Sequence, residues 1–87
     1  MSTATASGAP VVAQPTSLAT RIYSMARAVH GKPSHRWPAW STGERVMVAL
    51  VLNDAKALHT MGYTILEAID RADLTPAQLL LIAREVS

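Results

Sequence analysis

The sequence predicts an all-α protein, a compact bundle of four or five short helices that follows a flexible N-terminal tail. Three segments begin with Ser or Thr and carry Glu or Gln three residues later, which is the capping-box pattern of a helix start. The pairs are Ser41 with Glu44, Thr64 with Glu67, and Thr75 with Gln78. No Asn-Gly or Asp-Gly hairpin signal occurs. The core is therefore expected to come from packed helices alone.

The chain begins with a tail and a first amphipathic helix. The first 15 residues, MSTATASGAPVVAQP, combine small residues with two prolines, and they lack the features of a secretory signal. From residue 16 or 17 onward, apolar residues recur at three- and four-residue spacing up to Gly31, which predicts a helix. These residues are Leu18, Ile22, Met25, Ala26 and Val29. We therefore expect a disordered tail over residues 1–15 and a single helical domain over residues 16–87.

An irregular loop over residues 30–40, HGKPSHRWPAW, holds both tryptophans, two of the three histidines and two of the eight Lys/Arg residues. Two prolines and a glycine oppose helix and strand here, so Trp37 and Trp40 should stand on irregular backbone beside cations. Aromatic rings next to Arg36 are typical of a partner-binding surface. The alternative is that at least one ring covers the core, because the chain has no Phe.

The second and third helices follow from a cap and a break. The run VMVALVL after the first capping box is apolar on every side, which predicts a central helix surrounded by the others. Asn53 and Asp54 are poor interior residues and good caps, so the second helix should end there. A third helix, AKALHTM, should then end at Gly62. A continuous helix over residues 42–61 is the alternative.

The last two helices begin at the other two capping boxes. The fourth, ILEAIDRA, has three apolar residues on one face, which are Ile65, Ile69 and Ala72. The fifth has Pro76 at its first helical position, where a missing N–H is tolerated. Its apolar residues are Leu79, Leu80, Ile82, Ala83 and Val86. An apolar second or fifth helix would also suit an oligomeric structural subunit.

The charges divide the chain into halves of opposite sign. Residues 1–43 carry four cations and no acid, whereas residues 44–87 carry four cations and six acids. A basic first half could face nucleic acid, although four charges are few for DNA, where affinity grows with the phosphates neutralised. Complementarity between the halves is the alternative. The candidate nucleic-acid residues are Arg21, Arg27, Lys32, His35, Arg36 and Trp37, the last as a stacking ring.

Composition and motifs argue against several classes of protein. A chain of 87 residues has room for one small core, and it contains neither a nucleophile motif nor a glycine-rich phosphate loop. Its three histidines have no ordered acid partner, and it has no cysteine, so no metal site is expected. No stretch approaches the roughly 20 apolar residues of a membrane span. We expect a cytoplasmic protein that is not an enzyme and has no cofactor.

Residues 54–86 resemble a ubiquitin-associated (UBA-like) three-helix domain. The resemblance rests on MGY at 61–63, EA at 67–68 and DLTP at 73–76. In that family the Met-Gly-Phe/Tyr loop and the end of the third helix form a hydrophobic patch that docks other proteins, typically ubiquitin. Similar domains in bacterial translation and recombination factors bind other proteins. The resemblance therefore implies a docking surface made of Met61, Gly62, Tyr63, Leu80 and Arg84.

The same residues admit two other interpretations. A left-handed Gly62 and a Tyr63 that packs as a hydrophobic staple explain the loop without any partner. Residues 55–72 can also be interpreted as a helix-turn-helix, but the second helix would offer Glu67, Asp70 and one arginine. Because a DNA-reading helix normally presents Arg, Lys, Asn or Gln to base edges, DNA binding through this element is not expected.

The segment WPAWSTGERV and the composition rich in Ala, Val and Arg resemble those of small orphan proteins of actinobacteria and their phages, particularly mycobacteriophages. Such proteins often bind one host or virion protein. The leading expectation is therefore a non-enzymatic protein–protein interaction module. Its predicted partner-binding residues are Arg36, Trp37, Trp40, Met61, Gly62, Tyr63, Leu80 and Arg84. The alternatives are a small nucleic-acid-binding regulator and an oligomeric structural subunit.

Overall fold

A computed structural model describes residues 17–86, which form five α-helices and one short 3-10 helix. The α-helices are α1 (Ser17–Val29), α2 (Thr42–Val51), α3 (Ala55–Thr60), α4 (Ile65–Arg71) and α5 (Pro76–Val86). None of the described residues forms a strand. The predicted all-α bundle is confirmed, whereas the predicted tail over residues 1–15 lies outside the described residues.

The helix starts are built as the capping boxes predict. The hydroxyl of Ser41 accepts a hydrogen bond from the Glu44 N–H at 3.2 Å, and the Glu44 carboxylate accepts one from the Ser41 N–H at 3.0 Å. The same reciprocal bonds join Thr64 with Glu67 and Thr75 with Gln78. Each box satisfies two backbone donors that would otherwise lack a partner at a helix N-terminus.

A sharp turn separates α2 from α3. Asn53 adopts a left-handed conformation with φ 55°, which Asn tolerates better than most residues. The carboxylate of Asp54 then accepts a hydrogen bond from the Ala57 N–H at 3.0 Å and caps α3. The predicted break is confirmed, and the alternative of one continuous helix is wrong.

The core is centred on α2, which contacts each of the other four α-helices. Its buried side chains are Val46, Met47, Val48, Ala49 and Val51. On α1 the buried residues are Ala19, Ile22, Ala26 and Val29, close to the predicted face. No polar or charged residue in the described part of the chain is buried. The fold is therefore held together by burial of small and medium aliphatic side chains around one central helix.

The buried residue of α4 lies outside its predicted apolar face, and α5 buries only part of its apolar residues. In α4 the buried residue is Ala68, while Ile65 is 45% exposed. The single methyl group of Ala68 lets α4 approach α2 closely and leaves the larger side chains at the edge of the contact. In α5, Leu80 is 52% exposed. The buried residues of α5 are Leu79, Ile82 and Val86.

Candidate functional site

The loop over residues 30–40, hereafter the tryptophan loop, packs its two indole rings against the core and does not expose both of them. The side chain of Trp37 is only 7% exposed, and its indole N–H donates to the Lys32 carbonyl oxygen at 3.0 Å. Trp40 is half-buried, and its ring centroid lies 6.2 Å from that of Trp37. The prediction that at least one ring covers the core is confirmed. Trp37 is therefore too buried to serve as an exposed anchor or as a stacking ring for nucleic acid.

The loop also contains a turn that its prolines and glycine did not predict. Residues 34–36 form a 3-10 helix, in which the Arg36 N–H donates to the Pro33 carbonyl at 2.9 Å. The N–H of Trp37 donates to the Ser34 carbonyl at 3.1 Å. Arg36 itself is exposed, as are Lys32 and His35. A ligand could therefore reach each of these three side chains.

Two of the candidate nucleic-acid residues interact with other side chains of the fold. Arg21 forms an ion pair with Glu44, which joins the basic first half of the chain to the acidic second half. Arg27 donates to the Tyr23 hydroxyl at 2.9 Å and lies 5.8 Å from the centre of that ring. Complementarity between the halves is therefore realised in the Arg21 pair. The basic surface left for a phosphate backbone is correspondingly smaller.

The perturbed carboxylates of the described chain serve helix capping. Hydrogen bonds from the Ser41 backbone and then its side chain lower the pKa of Glu44, and the nearby charge of Arg21 lowers it further. Thr64 lowers the pKa of Glu67 through the same two kinds of bond. Glu44 is half-buried and Glu67 is exposed, and with lowered pKa values both remain ionised at neutral pH. Within residues 17–86, no three His, Cys, Asp or Glu side chains are grouped as a metal site would require.

The loop that resembles a UBA-like patch is largely used by the fold. Gly62 has φ 86° and supplies the left-handed turn that ends α3. Met61 and Tyr63 are half-buried and pack against the core. Leu80 and Arg84, the other two residues of the implied patch, are exposed on α5. The exposed side chains of the predicted partner-binding set are therefore Arg36, Leu80 and Arg84.

Large apolar side chains are exposed on α4 and α5. Their exposed fractions are 78% for Leu66, 60% for Leu81, 52% for Leu80 and 45% for Ile65. Only Leu80 belonged to the predicted site. The signal for Leu81 is the run LLLI in α5, because a helix with four consecutive apolar residues cannot turn all of them toward one core.

One of these side chains, Leu80, borders a groove between α4 and α5, hereafter the α4–α5 groove. Leu79 and Val51 line it, Ile69 borders it from α4, and Leu80 and Ala83 border it from α5. A second groove lies on the other side of α5, where Leu81 and Ile82 face residues of α1. The exposed leucines of α5 thus form a ridge between two apolar grooves, which we call the α5 ridge.

Comparisons of the chain with known protein families, with characterised proteins and with solved structures give no match. No helix in the described part of the chain is long and apolar enough to cross a membrane.

Proposed function

We propose that the protein is a non-enzymatic protein–protein interaction module that docks through the α5 ridge and the α4–α5 groove. The observation that carries the proposal is the exposure of Leu66, Leu80, Leu81 and Ile65 on two neighbouring helices. Single exposed apolar residues are common, but a group of them beside an apolar groove is typical of an interaction site.

The shape of this surface supports helix docking. Apolar residues of an incoming amphipathic helix would enter the α4–α5 groove, and Leu80 would pack between its side chains. Arg84 lies one turn beyond Leu80 and would add a charged contact at the rim. Arg36 and Trp40 lie on the separate tryptophan loop and are not part of this docking surface.

The proposed setting is a bacterial cytoplasm. The chain has no cysteine, which fits a reducing compartment, and its amino-acid composition resembles that of actinobacterial and phage proteins. A host or virion protein is one class of partner that the crosslink described next can capture.

Site-specific photo-crosslinking in living bacteria tests the docking surface. A photoreactive amino acid replaces Leu66, the most exposed of the four apolar side chains. Irradiation should join the protein to one main partner, because a reactive group inside an interface captures what lies against it. The matched control carries the same amino acid at Lys56, an exposed residue of α3. Adding Leu80→Gln should remove the Leu66 crosslink and leave the helical circular dichroism signal unchanged.

Equal crosslinking from both positions, or none from either, would contradict the proposal. A crosslink that survives Leu80→Gln would show that the groove is not the contact.

The second candidate function is a small nucleic-acid-binding regulator, and the exposed cations of the loop favour it. Lys32, His35 and Arg36 are exposed and have no ion-pair partner in the described part of the chain. Binding of labelled single-stranded DNA or RNA should then be measurable by fluorescence anisotropy and should weaken steeply as salt is raised. Absence of binding at low salt, with wild type equal to Arg36→Ala, would end this candidate.

A further inference from the structure

The two rims of the α4–α5 groove carry opposite charges. Successive residues of an α-helix are rotated by about 100°, so Ile69, Leu66 and Asp70 follow one another outward from the groove on α4. On α5 the same geometry gives Ala83, Leu80 and then Arg84. Each helix therefore presents an apolar strip bordered by one charge, negative on α4 and positive on α5.

Neither charge is neutralised within the described chain. Asp70 and Arg84 are both exposed, and neither forms an ion pair with another residue in 17–86. Exposed charges need no partner in water, and Arg84 also interacts favourably with the dipole of α5, because it lies in the last turn of that helix. Their arrangement is nevertheless one that a symmetric contact can use.

A two-fold axis turns this arrangement into a self-complementary surface. In a two-fold interface, if residue i of one protomer contacts residue j of the other, then j also contacts i. In such a dimer the α5 rim of one protomer lies against the α4 rim of the second, and their apolar strips pack together. The two-fold axis repeats this contact between the other two rims. It also brings Arg84 to Asp70 of the partner subunit, and Asp70 to Arg84 of the partner subunit. No like charges meet along these rims.

We propose that the occupant of this surface is a second copy of the chain, bound two-fold through the rims of α4 and α5. The inference rests on the proposed docking function and names its partner. In the dimer, Leu66 and Leu80 of each protomer are covered by the apolar strip of the other. Arg84 and Asp70 fix the pairing of unlike rims, because pairing two α5 rims would bring the two Arg84 side chains together.

Charge reversal with rescue tests the pairing on the full chain. Sedimentation of the wild type at low salt should show a concentration-dependent dimer. Arg84→Asp and Asp70→Arg should each raise the dissociation constant about 10-fold, because each creates two contacts between like charges. An equimolar mixture of the two variants should restore association as a heterodimer, and so should the double variant. Circular dichroism confirms that every variant is folded.

Glu85→Arg is the matched control, because Glu85 lies on the opposite side of α5, at the groove shared with α1. This reversal should leave the dissociation constant unchanged.

A wild type that stays monomeric at millimolar concentration would overturn the dimer, as would a dimer that ignores both single reversals. The Leu66 crosslink tests the docking function separately. If it captures a different protein, the docking function is supported and the dimer is wrong.

Discussion

Replacing Trp37 by alanine should come close to unfolding the protein. The ring is 7% exposed, and its N–H is bonded to the Lys32 carbonyl at 3.0 Å. Truncation of a buried aromatic residue costs about 3 to 5 kcal/mol. The freed carbonyl adds up to roughly 1 kcal/mol if water does not replace the bond. A domain of about 70 ordered residues has a free energy of unfolding of roughly 4 to 10 kcal/mol, so Trp37→Ala removes much of it.

Urea unfolding followed by far-ultraviolet circular dichroism measures this loss. Trp37→Phe separates the two contributions, because it keeps most of the buried ring and removes the hydrogen bond, with an expected cost of about 1 to 2 kcal/mol. Arg36→Ala is the adjacent control and should lie within about 0.5 kcal/mol of the wild type. If Trp37→Ala lowered the free energy of unfolding by less than about 1 kcal/mol, the Trp37 ring would not be an essential part of the core.

Two glycines and two carboxylates give further predictions. Gly43→Ala should raise the free energy of unfolding, measured with urea, by about 0.5 to 1 kcal/mol, because its Cβ would meet Arg71 side-chain atoms at ordinary contact distance, the nearest at 3.5 Å. Gly62→Ala should lower it by about 1 kcal/mol, because φ is 86° there; equal effects of the two substitutions would contradict this reasoning. The pKa values of Glu44 and Glu67 are lowered in the folded protein from an ordinary 4.5, so their stabilising effect is present above pH 4.5 and lost as pH falls through the lowered values. Thermal unfolding at pH 7, 4.5 and 3 should therefore show a smaller acid loss for the double Gln variant than for the wild type.

The elements were predictable because their signals are local. A capping box such as Ser41 with Glu44 spans four residues and works through backbone groups of the same turn. The break at Asn53 and Asp54 is equally local, since it depends on one left-handed residue and one cap. Such signals need no knowledge of the neighbouring helices, which is why the sequence predicted all five helices.

The faces were less predictable because burial depends on neighbours. The same helix pattern in α4 fits burial of Ile65 or burial of Ala68, and only the approach of α2 selects the alanine. Trp37 and Trp40 have the same residue type and lie three positions apart, yet one is buried and the other is half-buried. The position of the Lys32 carbonyl fixes which indole enters the core, and no local pattern in the sequence encodes it.

In α5 too, contact with neighbouring helices decides which side is buried and which side stays exposed. One side of this helix, with Leu79, Ile82 and Val86, is buried against the bundle. The other side, with Leu80 and Leu81, remains more than half exposed and removes little apolar surface from water in the monomer. Polar residues at those two positions would leave the buried side intact, so the fold does not require leucine there. The two leucines are therefore free to contact a partner, and this is the physical basis for proposing α5 as the docking helix.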